Sequence, residues 1–203
     1  MKIRVLDIAY ETMADGPGLR TSIYCAGCSH HCPGCHNPQS WDFSGGQEMS
    51  VKELLDIVKD DEFANVTFSG GDPLYQVEAF TELARLIKEE TNKNIWCYTG
   101  FRYEEIQADE RLRQILPYID TLVDGPFIAE LRDPDLPFRG SSNQRIIHLT
   151  KKEDDAIPGT VSIEKGAGLF VNHSVLELRE LCAVPASCRA HEITGDSLKL
   201  VNF

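Results

Sequence analysis

The chain has 203 residues and a 42% hydrophobic composition, enough for one domain to bury a core without disulfide or metal staples. Its 32 acidic against 20 basic side chains give a formal charge of −12, which repels phosphate backbones and anionic lipid and argues against a nucleic-acid or membrane-surface role. No apolar stretch reaches bilayer-spanning length and residues 1–13 hold no signal-peptide run, so a soluble, cytoplasmic protein is expected.

Residues 19–27, LRTSIYCAG, read as a strand that ends at a cluster of cysteines. A loop follows through Gly45 and Gly46. Ser50 and Glu53 then make a capping-box pattern, with Val51, Leu54, Leu55 and Val58 at helical spacing. Residues 64–69, ANVTFS, predict a short buried strand that stops at Gly70-Gly71-Asp72-Pro73. Phe80, Leu83, Ala84 and Ile87 give the next helix an apolar face. Further strands are expected over 94–99, 119–123 and 144–149, with a helical stretch over 102–116 ending near Pro117.

Strands alternating with helices predict an α/β fold with a mostly parallel sheet, either open and doubly wound or curled into a partial (β/α) barrel. In both arrangements the active site lies at the carboxyl ends of the strands. The cysteine loop, Gly70-Gly71-Asp72, Thr99-Gly100 and Asp124-Gly125 all fall there. Beyond Lys151 the pattern weakens, and a boundary near 150 divides a core, 1–150, from a C-terminal extension, 151–203. Within the extension, residues 174–182 predict a short helix and the terminal SLKLVNF a strand.

Seven cysteines, an odd number, without a secretion signal argue against a disulfide framework. Four of them, Cys25, Cys28, Cys32 and Cys35, fall within eleven residues, on a loop kept irregular by Pro33, Gly34 and Pro38. Thiolates at such spacing are soft, anionic ligands suited to iron–sulfur chemistry. A zinc ribbon needs its two Cys-x-x-Cys knuckles about fifteen to twenty residues apart, and only three residues intervene here. A ferredoxin-type site using all four cysteines, and a set of spare buried thiols, are the other readings. Cys182, Cys188 and His191 fit no common metal spacing and read as unused.

The spacing Cys28-x3-Cys32-x2-Cys35 resembles the signature of the radical S-adenosylmethionine (SAM) superfamily. The resemblance implies a 4Fe–4S cluster held by Cys28, Cys32 and Cys35, with one iron left open for SAM. Cys25, at a strand end, then reads as core packing. In that superfamily a Gly-Gly-Glu-type motif after the second strand binds the SAM amino group, and here Gly70, Gly71 and Asp72 stand in its place.

The set DGPGLR, CxxxCPGC, SGGDPL, WCYTGF, LVDGPF and RGSSNQR, over roughly residues 8–149, resembles the activating proteins of anaerobic ribonucleoside-triphosphate reductase. That resemblance implies SAM contacts from Gly34, Cys35 and His36 and from the Gly70–Asp72 segment. It also implies a flavodoxin or ferredoxin-type electron donor and a radical placed on a backbone glycine of the reductase. No general acid or base is required, so no catalytic side chain is assigned. Asp15–Arg20 and Arg139–Gln144 are candidates for gripping the substrate loop or SAM, with a structural role the competing reading. The rival functions are another radical SAM enzyme, either an activase for a different partner or a small-molecule enzyme, and a non-catalytic iron–sulfur carrier or zinc module.

Overall fold

A computed structural model describes residues 1–150 together with the strands Thr160–Ile163 and Leu169–Val171. All of them lie in one compact unit, Met1–Asn172. The helix expected over 174–182, the terminal strand, Cys182 and Cys188 all lie outside the described residues.

The described part is a mixed α/β unit built on one sheet. Its strands are β1 (Lys2–Thr12), β2 (Arg20–Cys25), β3 (Gln47–Ser50), β4 (Asn65–Gly70), β5 (Ile95–Tyr98), β6 (Thr121–Asp124), β7 (Arg145–His148), β8 (Thr160–Ile163) and β9 (Leu169–Val171). They lie in the order β3-β1-β2-β4-β5-β6-β7-β8-β9. The central four, β2-β4-β5-β6, are parallel throughout. Antiparallel pairs flank them, β1 on β2 and β7 on β6. The sheet continues past residue 150, since β8 pairs in parallel with β7.

Among the described residues three helices connect the strands: α1 (Val51–Asp60), α2 (Val77–Glu90) and the short α3 (Tyr103–Ala108). The capping box at the start of α1 forms as the sequence predicts. Ser50 Oγ accepts from the Glu53 N–H at 3.2 Å, and Glu53 accepts from the Ser50 N–H at 2.7 Å. The apolar stripes of α1 and α2 cover one face of the sheet. On that face the register aligns Ile23, Phe68, Cys97, Leu122 and Ile147 in a single row, all fully buried.

The residues alternating with that row face the other way, as the two-residue strand period requires. They form a second row, Ser22, Thr67, Trp96, Thr121 and His148, far more polar than the first. Arg20 lies buried on this side. It donates to Thr67 Oγ1 at 2.6 Å, to the Val66 carbonyl at 2.6 Å and to the Pro17 carbonyl at 3.1 Å. Its guanidinium carbon sits 5.5 Å from the Trp96 ring centre. The Arg20 of the DGPGLR motif is thus spent on joining three segments of the chain.

Four features differ from the sequence reading, one being that β8 and β9 are strands that the weak pattern beyond Lys151 does not announce. β1 and β3 are additional strands, and they close the sheet edge beside β2. The helix over 102–116 breaks at Asp109, whose carboxylate accepts from the Arg111 and Leu112 N–H groups. A 3-10 segment, Leu112–Tyr118, then carries the chain into β6. β7 runs antiparallel because a loop, not an α-helical crossover, joins it to β6.

Candidate metal centre

The four parallel strands end on one rim, and each passes there into a loop rich in polar atoms or glycine. The loops of β2 and β4 are joined through backbone. Gly71 N–H donates to the Cys25 carbonyl at 2.7 Å, Asp72 N–H to Gly27 at 3.0 Å, and Gly27 N–H to Ser40 at 2.8 Å. Gly70 takes φ +103°, and a Cβ there would strike the Cys25 backbone. A Cβ on Gly71 would stand 2.5 Å from the Gly27 oxygen and 2.9 Å from the Ser40 oxygen. The close approach that Gly-Gly permits is taken up here by the chain itself.

Cys28, Cys32 and Cys35 ride on the loop that leaves β2. Cys28 is buried, Cys32 and Cys35 are half-buried, and all are free thiols. His31 at φ +49° and Gly34 at φ +76° turn the loop, and Cys35 N–H donates to the Cys32 carbonyl at 3.0 Å. Burial pushes the Cys28 thiol up to about 11, against the backbone N–H groups of His30 and His31, which pull it down. Burial also raises Cys32, opposed by the Phe127 N–H and reinforced by Cys35. Unmetallated, Cys28 and Cys32 are therefore neutral at pH 7, and binding a metal there releases protons. Among the described residues no three Cys, His, Asp or Glu side chains converge into a ready metal cage. The donor set still fits an iron–sulfur cluster: three soft ligands sit on one irregular loop, with N–H groups near two of the sulfurs.

Cys25 and Cys97 are different. Both are fully buried in the helix-covered core, and desolvation holds their thiols well above the ordinary range. Core packing accounts for them.

Asp72 lies at the centre of the rim and is 1% exposed. Its Oδ1 accepts from the Leu74 N–H at 2.9 Å, capping the 3-10 turn Pro73–Gln76. Thr99 Oγ1 lies 3.0 and 2.9 Å from the two oxygens. Gly100 N–H and His30 Nε2 reach Oδ2 at 2.9 and 2.8 Å. Gly34 and His36 are exposed beyond the cysteines, with Phe127 and Ala129 beside Gly34.

The two motifs assigned as possible grips have internal partners. In RGSSNQR, Gln144 accepts from the Gly140 and Ser141 N–H groups and donates to the Gly125 carbonyl at 3.1 Å. Asn143 donates to the Pro126 carbonyl at 2.7 Å. Arg145 pairs with Asp124 and Glu104. RGSSNQR and LVDGPF therefore hold each other. Sequence reasoning passed over His30, Tyr75 and Phe101, which pack together beside Asp72. The available signal was a histidine lying between two of the cysteines.

Comparison with known proteins finds both a family model and named relatives. The family model described as "4Fe-4S single cluster domain" matches residues 14–147. The anaerobic ribonucleoside-triphosphate reductase-activating protein of Haemophilus influenzae is 41% identical over 145 residues, 68% of this chain and 92% of its own. The protein of that name from Vibrio cholerae is 41% identical over 147 residues, 68% of this chain and 93% of its own. That of Enterobacteria phage T4 is 36% identical over 138 residues, 65% and 85% of the two chains.

Proposed function

The chain belongs to the family of anaerobic ribonucleoside-triphosphate reductase-activating proteins, and from that membership we propose that it is the radical SAM activase of such a reductase. Cys28, Cys32 and Cys35 would hold a 4Fe–4S cluster. Gly34, Cys35 and His36, with the backbone of Gly70–Asp72, would border bound SAM. When bound, the cluster and SAM supply one-electron cleavage of the SAM carbon–sulfur bond, giving a 5′-deoxyadenosyl radical that takes hydrogen from a backbone glycine of the reductase.

In this reading the sheet is a partial (β/α) barrel of the radical SAM type, with 1–150 as its core. The chain's own part is to hold and shield. The cysteines hold the cluster, the strand-end loops fix their backbone, and the apolar rim residues Tyr75, Phe101 and Phe127 keep water from the reacting atoms. Cys28 and Cys32 must each give up a proton on loading. A flavodoxin or ferredoxin-type protein serves as electron donor, and the reductase is the protein substrate.

The observation that supports this most is the position of the three cysteines on the loop leaving β2, beside the Gly70–Asp72 turn at one rim. The test is anaerobic loading with iron and sulfide, reduction, and assay of 5′-deoxyadenosine from SAM. Wild type is expected to bind about four irons and cleave SAM, and Cys28→Ala to do neither. A loaded, reduced wild type that leaves SAM intact would remove the proposal.

A further inference from the structure

We propose that His30 and Asp72 form a clasp that sets the cysteine loop against the strand ends, and that Asp72 is a positioning residue instead of a contact to bound SAM. The role toward SAM rests on the cluster reading above; the clasp itself does not.

A carboxylate only accepts hydrogen bonds and offers about four lone-pair directions. Those of Asp72 are met by the Leu74 N–H, the Thr99 hydroxyl, the Gly100 N–H and His30 Nε2. Because the carboxylate accepts, the His30 ring nitrogen is the donor. With 1% exposure, no direction is left for a ligand's ammonium group.

These four donors come from three loops. His30 stands between Cys28 and Cys32 on the loop after β2, Leu74 follows β4, and Thr99 and Gly100 follow β5. The His30 ring is also fixed in place. It meets Phe101 edge-on with centroids 4.6 Å apart, and Tyr75 at 5.6 Å. Its face lies where a side chain on Gly100 would begin, so only glycine at 100 admits it. The anchor therefore sits between two cluster cysteines and ties their loop to both neighbouring strand ends.

The experiment uses the full chain as wild type, His30→Ala, His30→Gln, Asp72→Asn and Gly100→Ala. The first readout is amide hydrogen exchange without metal. His30→Ala should raise exchange across residues 26–37 about tenfold, the effect of one lost hydrogen bond to a charged group. Core amides of α1 and α2 should not change. His30→Gln, whose amide can reach the carboxylate, should restore protection, and Gly100→Ala should reproduce the loss by displacing the ring.

The second readout is SAM affinity of the loaded protein, followed by the EPR change that SAM produces on the reduced cluster. With iron content at the wild-type level, His30→Ala should weaken SAM binding about tenfold, and His30→Gln should recover it. Unchanged loop exchange in His30→Ala would overturn the clasp. SAM binding lost in Asp72→Asn but kept in His30→Ala would mark Asp72 as a direct ligand and overturn the positioning role. If Asp72→Asn fails to fold, His30→Ala and its glutamine rescue decide the matter. A wild type that takes up no iron would remove the cluster reading and the role toward SAM, while loop exchange still decides the clasp.

Discussion

At Gly71 the deciding quantity is a distance between backbones. A methyl group there would stand 2.5 Å from one carbonyl oxygen and 2.9 Å from another, and neither is the end of a flexible side chain. Gly71→Ala should therefore destabilise the chain by about 1–3 kcal/mol, the usual cost of overpacking. Urea unfolding of the metal-free protein measures it, and a change within error would show that the two strand ends slide apart freely. That Cys28, Cys32 and Cys35 share one irregular loop at the strand ends was legible from sequence, because it follows from their spacing and from Pro33 and Gly34. The role of Asp72 was legible only in part. Its cap on Leu74 is local, but Thr99 and His30 lie 27 and 42 residues away, and no spacing rule connects them. Arg20 was left open in the same way: DGPGLR reads as a candidate grip or as structure, and only the fold shows Arg20 buried against Thr67, Val66 and Trp96.

Among the elements, the helices carry local signals and the strands carry fewer. Ser50 and Glu53 announce α1, and Ser50→Ala should cost about 1 kcal/mol as the cap is lost. Phe80, fully buried on α2, packs on Phe68 with ring centres 4.9 Å apart. Phe80→Ala should cost about 3–5 kcal/mol through the cavity it leaves. Denaturant midpoints with an unchanged slope would confirm both, and a small Phe80 effect would mean that the sheet–helix layer collapses to fill the gap. β1 was not legible because register shifts interrupt its pairing on β2, and only Ile3 and Val5 along it are fully buried. β3 is four residues long and pairs with β1, far earlier in the chain. The direction of β7 was not legible either, since it depends on whether a helix or a loop fills the connection.

For the whole molecule, the titrating groups predict how the metal-free chain responds to pH. The Arg111 hydrogen bond holds Glu78 below the usual carboxylate range, and Arg145 does the same for Glu104. Their stabilisation is present above the unfolded carboxylate value near pH 4.3 and is lost as pH falls through the lower folded values. At the alkaline end burial raises Cys28 to about 11, and burial with Asp15 raises Tyr24. For these two, burial favours the neutral form, so the folded chain is at no disadvantage below the unfolded values and loses stability as pH rises through the folded ones. Stability should be flat between about pH 5 and 8 and fall on both sides, as unfolding free energies across pH would record. Iron loading should add an opposite trend near neutrality, weakening as pH falls because the thiols must release protons.

The rim formed by β2, β4 and β5 is proposed to hold a cluster that would supply the electron for cleaving SAM, whose radical would in turn take hydrogen from a reductase. The most direct measurement is EPR on the anaerobically loaded and reduced chain, mixed with SAM and an anaerobic ribonucleoside-triphosphate reductase. The predicted result is a glycyl-radical signal on the reductase that depends on SAM and disappears with Cys28→Ala. SAM cleavage with no glycyl signal would contradict the activase role and leave a radical SAM enzyme with another substrate; a loaded cluster that cleaves no SAM would contradict the radical chemistry itself.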